Sequence, residues 1–187
     1  MSMYFEEVQM YRWLIVSLLF FGCGGSQNKE SEALKPTSAE EVDLNGDGKA
    51  DAWKHFIRRD GKLIMVKKEI DLNIDGKIDV WRHYDENGDP VRDEMDMDFD
   101  GKIDSTAHYK DGKIIRKEID LAFDKTPDQI KHYKEGKISR VEWDSDNDGK
   151  LDYWEIYKKG KLVRKGIDGN GDGEPDPDKW VDIEDES

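Results

Sequence analysis

Oxygen-bearing side chains recur along the chain in a nine-residue frame, Asp-x-[Asn/Asp]-x-Asp-Gly-x-x-Asp. Six copies are present, and the five that begin at residues 43, 71, 96, 144 and 168 are intact. Hard oxygen ligands at alternate positions, with a glycine at the sharp bend, are the pattern of a calcium-binding loop. One such nonamer could arise by chance in an acidic protein, whereas five at near-regular spacing could not. The sequence therefore predicts about five calcium ions.

The five intact loops are each expected to bind their ion through four side chains and one main-chain carbonyl. Positions one, three, five and nine supply side-chain oxygens, and position seven supplies its carbonyl oxygen. The predicted ligands are Asp43, Asn45, Asp47, Lys49 and Asp51 in the first loop; Asp71, Asn73, Asp75, Lys77 and Asp79 in the second; Asp96, Asp98, Asp100, Lys102 and Asp104 in the third; Asp144, Asp146, Asp148, Lys150 and Asp152 in the fifth; and Asp168, Asn170, Asp172, Glu174 and Asp176 in the sixth.

The fourth copy, residues 120–128, departs from the frame. Ala122 removes the oxygen at position three, and Lys125 replaces the glycine of the bend. Pro127 stiffens the loop further. We expect this loop to bind no calcium, or to bind it far more weakly than the others.

The frame resembles the EF-hand loop but differs from it in two respects. The bidentate glutamate expected at position twelve is missing, because Lys54, Arg82, Ala107 and Lys179 stand there and only Glu155 is acidic. The segments on either side of each loop are also predicted to be strands, whereas helices flank an EF-hand loop. The closer resemblance is to calcium loops in β contexts, such as thrombospondin type-3 repeats and the hairpin loops of integrin α-chain propellers. Without the twelfth-position carboxylate, each site is expected to have a dissociation constant on the order of 10⁻⁴–10⁻³ M.

The loops define repeat units that begin at residues 43, 71, 96, 120, 144 and 168. In each of the first five units, the loop is followed by an extended stretch with an aromatic residue, a turn with glycine, and a second extended stretch. Such turns between extended stretches are strong β-hairpin signals. The aromatic residues are Phe56, Tyr84, Tyr109, Tyr133 and Tyr157, and the turns are Asp60-Gly61, Asn87-Gly88, Asp111-Gly112, Glu135-Gly136 and Lys159-Gly160.

Unit lengths support the hairpin. Unit one has 28 residues where units three to five have 24, and its four extra residues divide equally between the two arms. Two residues per arm lengthen a hairpin without changing its pairing or facing. The predicted fold class is all-β, a repeat array of about five β-hairpins forming an antiparallel meander sheet that curls like a solenoid. Calcium loops follow one edge, and closure into a β-barrel is the alternative.

The N-terminal segment carries targeting signals. Residues 13–21 form a nine-residue apolar run, too short to span a bilayer, that leads into Gly22 and Cys23. This resembles a bacterial lipoprotein signal, and an ordinary signal peptide with an incidental Cys23 is the alternative. Glu6 and Glu7 do not suit a basic leader, which favours a start at Met10 rather than Met1.

These segments give a domain plan and a second resemblance. Residues 1–22 are the predicted signal peptide, residues 23–42 a lipidated Cys23 with a flexible tether, and residues 43–187 the repeat domain. The order of signal, tether and repeated Asp-loop hairpins resembles repeat lipoproteins of the myxobacterial kind. That resemblance implies an exported protein anchored in the cell envelope, at the outer membrane on its periplasmic or surface face, without an assigned chemistry.

Composition limits the classes of protein to which the chain can belong. The net charge of −14 excludes a nucleic-acid binder of the usual basic kind. Charged residues make up 40% of the chain, but six Trp, seven Tyr and six Phe argue against disorder. Without residues 1–22 the net charge is −13, and five Ca²⁺ would reduce it to −3. A single cysteine rules out internal disulfides, so an exported fold needs another source of stability.

Two further series occupy equivalent positions in the units. A series of histidines at one unit position could bind zinc or copper, but neither cysteines nor a pattern of supporting carboxylates accompanies it, which favours a half-exposed strand position. A tryptophan stripe could bind sugar or peptide, although cross-strand packing is favoured. The series are His55, His83, His108 and His132, completed by Ile156, and Trp53, Trp81 and Trp154.

The function predicted from sequence is that of a non-enzymatic, calcium-binding repeat lipoprotein that acts as a scaffold or adhesion module. Its partner is expected to be an envelope protein or polysaccharide, in addition to the membrane that holds its lipid anchor. The alternatives are a metal-dependent envelope hydrolase and a calcium sensor or buffer. Against the hydrolase, the sequence contains no nucleophile elbow, no His-Glu zinc motif and no cysteine nucleophile.

Overall fold

A computed structural model describes residues 35–183, so the predicted signal peptide and the lipidation site at Cys23 lie outside the described residues. The described chain is all-β. Its strands are β1 Ser38–Val42, β2 Ala52–Arg59, β3 Lys62–Ile70, β4 Val80–Tyr84, β5 Pro90–Met95, β6 Ser105–Lys110, β7 Lys113–Ile119, β8 Gln129–Lys134, β9 Lys137–Trp143, β10 Tyr153–Lys158, β11 Lys161–Ile167 and β12 Val181–Asp182.

All twelve strands form one antiparallel sheet in chain order, which confirms the predicted hairpin meander. Because β1 and β12 are edge strands, the sheet is open, and the alternative of a closed barrel is wrong for residues 35–183. Ten strands were expected, and the two additional ones are the short edge strands β1 and β12. Strand β1 pairs with β2 over Ser38–Val42, so the predicted flexible tether over 23–42 is corrected at its carboxyl end.

Four of the five hairpins close through two-residue turns in which both residues have positive φ. In the first, φ is 49° at Asp60 and 77° at Gly61. These angles belong to the type I′ turn, whose twist matches the twist of the flanking strands. The second hairpin has a longer turn, in which the Asp85 carboxylate accepts hydrogen bonds from the N–H groups of Asn87 at 2.8 Å and Asp89 at 2.9 Å.

Every hairpin also contains a bulge at the same place, which the sequence analysis missed. The register shifts between His55 and Phe56 in the first hairpin, and at the equivalent pair in the other four. The signal was present in the arm lengths, because the second strand of each hairpin is one residue longer than the first. A bulge increases the local right-handed twist, so each hairpin is expected to twist more strongly at this position.

The sheet has almost no apolar core. Only six hydrophobic residues of the described chain are buried, against twelve polar or charged ones, and nine of those twelve are loop aspartates. Half of the buried residues named in these two groups are therefore carboxylates of the loops. The strands form a single layer of sheet, so both faces meet solvent.

Two rows of directly opposed residues run across the faces of the sheet, and opposed residues in antiparallel strands share a face. The row on what we call the histidine face is His55, Lys67, His83, Arg92, His108, Arg116, His132, Arg140, Ile156 and Arg164. The row on what we call the tyrosine face is Lys54, Lys68, Arg82, Asp93, Ala107, Lys117, Lys131, Val141, Glu155 and Lys165.

Candidate metal centres

The six loops all lie at the same end of the strands, because each connects the second strand of one pair to the first strand of the next. We call this side of the sheet, formed by the strand ends and the loops, the loop edge. Consecutive loops are joined by main-chain hydrogen bonds. The N–H of position one in each loop donates to the carbonyl of position nine in the preceding loop, as from Asp71 to Asp51 at 2.8 Å and from Asp96 to Asp79 at 2.8 Å. The candidate metal centres are thus links in a continuous backbone chain.

The carboxylate at position nine accepts hydrogen bonds from the main-chain N–H groups at the start of its own loop. Asp79 is 1% exposed, and its Oδ2 accepts hydrogen bonds from the N–H groups of Leu72 at 2.7 Å and Asn73 at 3.3 Å. Asp51, Asp104 and Asp176 occupy the same place in their loops and are also buried. The second oxygen of such a carboxylate retains lone pairs for a cation.

The carboxylate at position one accepts hydrogen bonds from the main-chain N–H groups of the bend. Asp96 is 1% exposed; its Oδ1 accepts from the N–H groups of Phe99 at 2.7 Å and Asp100 at 3.2 Å, and its Oδ2 from Gly101 at 2.7 Å. Main-chain donors of this kind favour the charged form of a carboxylate. At Asp43 they lower the pKa, chiefly through Gly48 and Gly46, so the side chain is held ionised as a calcium ligand must be.

The side chains at positions three and five form short turns of their own. In the second loop, Asn73 Oδ1 accepts from the N–H of Asp75 at 3.0 Å, and Asp75 Oδ1 accepts from the N–H of Lys77 at 2.9 Å. Each hydrogen bond orients the oxygen-bearing group and leaves its other lone pairs, on the exposed side, available to a cation.

The predicted ligands converge. One carboxylate oxygen each from Asp96, Asp98 and Asp104 lie within 4.8 Å of one another, and so do oxygens from Asp144, Asp146 and Asp148. Three ionised carboxylates at such distances repel one another unless a cation lies between them. The donor set consists of oxygens alone, which fits a hard divalent cation such as calcium rather than a thiophilic metal.

A second left-handed position in each loop escaped the sequence analysis. Besides the bend residue at position six, position four has positive φ in every copy, and loops two to four place large apolar residues there. Ile74 has φ 63° and is 50% exposed, while Phe99 has φ 66° and is 41% exposed. Gly46, Asn147 and Gly171 hold this position in the other loops, and only they are typical of it.

Replacing Ile74 by Asn is expected to stabilise the chain, by about 1 kcal/mol, because a branched side chain in the left-handed region is strained and Asn tolerates it. Asn147 already occupies the equivalent position. Urea unfolding at saturating calcium measures the change. Leu72→Asn, at an exposed site in the same loop, is the matched control and is expected to be neutral or destabilising. Equal effects of the two substitutions would contradict the strain at Ile74.

The divergent fourth loop keeps the same fold. Asp120 accepts from the N–H groups of Asp124 at 3.3 Å and Lys125 at 2.7 Å, and Lys125 adopts φ 81° where the other loops have glycine. Oδ1 of the buried Asp128 is the one enclosed side-chain oxygen without a hydrogen-bond partner within residues 35–183. The loop therefore retains an open carboxylate oxygen but lacks the oxygen at position three, and its weak calcium binding stays a prediction.

The histidines meet glutamates of the next strand, contrary to the expectation that no carboxylates accompany them. His55 Nε2 lies 2.6 Å from Glu69 Oε2, and His83 Nε2 lies 2.9 Å from Glu94 Oε2. His108 and His132 approach Glu118 and Glu142 at 3.5 and 3.2 Å.

The same glutamates also contact Lys67, Arg92, Arg116 and Arg140 respectively. Successive histidines are two strands apart, about 9.5 Å, too far to share one ion. The histidines, the glutamates and the basic residues therefore form polar side-chain contacts between neighbouring strands, repeated from unit to unit.

The three tryptophans of the series lie directly opposite residues of neighbouring strands. Trp154 is 5% exposed and is directly opposed to Glu142 and Gly166. Trp53 and Trp81 flank Glu69 from either side. This placement agrees with cross-strand packing.

A small open cleft of about 170 Å³ lies beside the third and fourth loops. Its acidic lining consists of Asp104, Glu118 and Asp120. Each is already engaged, Asp104 and Asp120 by loop N–H groups and Glu118 by Arg116. All three carboxylates of the cleft therefore already have hydrogen-bond or ion-pair partners.

Comparisons with known proteins gave two structural similarities and no match in sequence to a family or a curated protein. No family model matches the chain, and no curated protein matches it. A structure of accessory secretory proteins 1, 2 and 3 from Streptococcus pneumoniae is similar at 14% identity and TM-score 0.31, over 66% of this chain and 20% of that one.

A mutant of TarM from S. aureus, with fondaparinux, alpha-GlcNAc-glycerol and UDP, is similar at 13% identity and TM-score 0.35, over 68% of this chain and 21% of that one. The chain thus spans about a fifth of each protein, and at these TM-scores neither similarity bears on fold or function. In the described part of the chain, no helix is long and apolar enough to cross a membrane.

Proposed function

We propose that this chain is a non-enzymatic, calcium-stabilised repeat lipoprotein of the cell envelope, which acts as a scaffold or adhesion module. The observation that carries the proposal is the convergence of loop carboxylates at one sheet edge, in the third and fifth loops within 4.8 Å. Calcium would supply the positive charge that lets these oxygens stay together. The lipid anchor at Cys23 would hold the sheet at the membrane, where an envelope protein or polysaccharide is the expected partner.

The need for such ions follows from the fold. A single-layered sheet with six buried hydrophobic residues has little apolar burial to offset its conformational entropy. The loop edge contributes the remaining enclosed groups, and they carry like charges. Cations bound there stabilise the folded form by mass action and take the place of the disulfides that one cysteine cannot form.

Calcium stoichiometry tests the proposal. Equilibrium dialysis of the full chain in detergent is expected to give five bound ions, and Asp100→Ala in the third loop, which removes the ligand oxygen at position five, is expected to give four. The control is Asp111→Asn, which removes one carboxylate from a hairpin turn at the opposite end of the strands and is expected to leave five. No binding, or equal binding of magnesium, would contradict the proposal. Six ions would show instead that the fourth loop is a full site.

A further inference from the structure

Strand β8 presents three polar side chains on the tyrosine face that have no hydrogen-bond or ion-pair partner in the part of the chain the structure describes: Gln129, Lys131 and Tyr133. Lys117 of β7 is directly opposed to Lys131 and also lacks one. We call these four residues the β8 patch. Gln129 is only 4% exposed, and neither amide atom is enclosed without a partner, so the amide is the part of this side chain that reaches the surface.

The charge arrangement of the patch is unlike that of its equivalents in other units. Lys54 is paired with Glu40 at 2.8 Å, and Arg82 is paired with Asp93. Lys131 instead has Lys117 on one side and Val141 on the other. Two like charges directly opposite each other destabilise a sheet. Burial and, to a smaller extent, the Lys117 charge lower the pKa of Lys131.

The residues on either side of the lysine pair are apolar. Ala107 and Val141, 7% and 3% exposed, are directly opposed to Lys117 and Lys131, so no carboxylate stands directly opposite either lysine. Tyr109 and Tyr157 stand on neighbouring hairpins in the row of Tyr133. Their hydroxyls are fixed by hydrogen bonds to Asp93 at 2.9 Å and Glu155 at 2.8 Å.

The geometry points to a binding site for a carboxylated glycan, a polysaccharide segment of uronate type, on the β8 patch. The lysine pair would receive the carboxylate, the Gln129 amide and Tyr133 hydroxyl would bond sugar hydroxyls, and the ring of Tyr133 would pack against a sugar face. An acidic peptide fits less well, because an extended peptide gains its main-chain hydrogen bonds at a strand edge and the patch lies on a face.

This inference rests on the proposed role as an interaction module and names its partner chemistry. Isothermal titration of the calcium-loaded full chain with trigalacturonate, against maltotriose as the neutral control, tests it. Trigalacturonate is expected to bind and maltotriose is not. Lys131→Gln is expected to weaken binding about tenfold, the loss of a charge-assisted hydrogen bond. Lys68→Gln, in the same row and also unpaired, is expected to leave affinity unchanged.

The ring is tested separately by Tyr133→Ala, with Tyr84→Ala of the second hairpin as its control. Only the former is expected to weaken binding. Absent binding, equal affinity for maltotriose, or equal losses in the Lys131 and Lys68 variants would overturn the site. Polyglutamate binding that Lys131→Gln abolishes would overturn the glycan class. Calcium stoichiometry measured on the same samples distinguishes failure of this inference from failure of the calcium proposal.

Discussion

Removal of calcium is expected to lower the melting temperature of the chain by roughly 15 °C or more, or to abolish the cooperative transition. At 10 mM calcium, each site with a dissociation constant of about 10⁻⁴–10⁻³ M adds about 1.4–2.7 kcal/mol to stability by mass action. Five such sites together contribute about 7–14 kcal/mol, as much as the whole stability of an ordinary domain.

The experiment compares thermal melts of the full chain in EDTA and in calcium. Near-UV dichroism follows the tryptophans, several of which pack across strands. Re-addition of calcium is expected to restore the transition, and magnesium at equal concentration is the control for ionic strength. An unchanged melting temperature and an unchanged tryptophan signal in EDTA would contradict a stabilising role for the ions.

The physical reason lies in the enclosed carboxylates. Position-one and position-nine aspartates of most loops are buried with neighbouring charges of the same sign. Main-chain N–H groups offset part of the desolvation, but they carry partial charges only. When no cation is bound, like-charge repulsion acts within each loop, and the main-chain bonds between loops pass the disturbance to the next hairpin.

Local patterns explain how much of the fold was predictable. The hairpin turns follow from dipeptides such as Asp60-Gly61, and the loops follow from one repeated frame, so neither depends on distant contacts. The strand order then follows from short connections, because consecutive hairpins can only lie side by side. The edge strand β1 was missed because its polar sequence resembles a linker until it pairs with β2.

Features that depend on register were not predictable in the same way. The contact between His55 and Glu69 exists because the bulge shifts the second strand by one residue, which places the glutamate diagonal to the imidazole. Without that shift, the sequence shows only a histidine series. The left-handed backbone at Ile74 was hidden for another reason, since isoleucine is among the residues least expected there.

The two functions of the loop carboxylates, holding the backbone and binding the ion, can be separated within one loop. Asp96 is 1% exposed and accepts three main-chain N–H groups, whereas the exposed Asp98 accepts only that of Asp100, at 3.1 Å. Both belong to the same convergent cluster. Replacing either by alanine is expected to remove one calcium ion.

Stability should distinguish the two variants. Asp96→Ala is expected to destabilise the calcium-loaded chain by about 3–5 kcal/mol more than Asp98→Ala, because three donors lose a charged acceptor at an enclosed site. Urea unfolding at saturating calcium measures the difference, with Asp60→Asn in a hairpin turn as a control expected within about 0.5 kcal/mol of the unaltered chain. Equal losses for Asp96 and Asp98 would mean that the ion alone maintains the loop. A larger loss at Asp96 would mean that this carboxylate holds the loop backbone through its three N–H donors in addition to binding the ion.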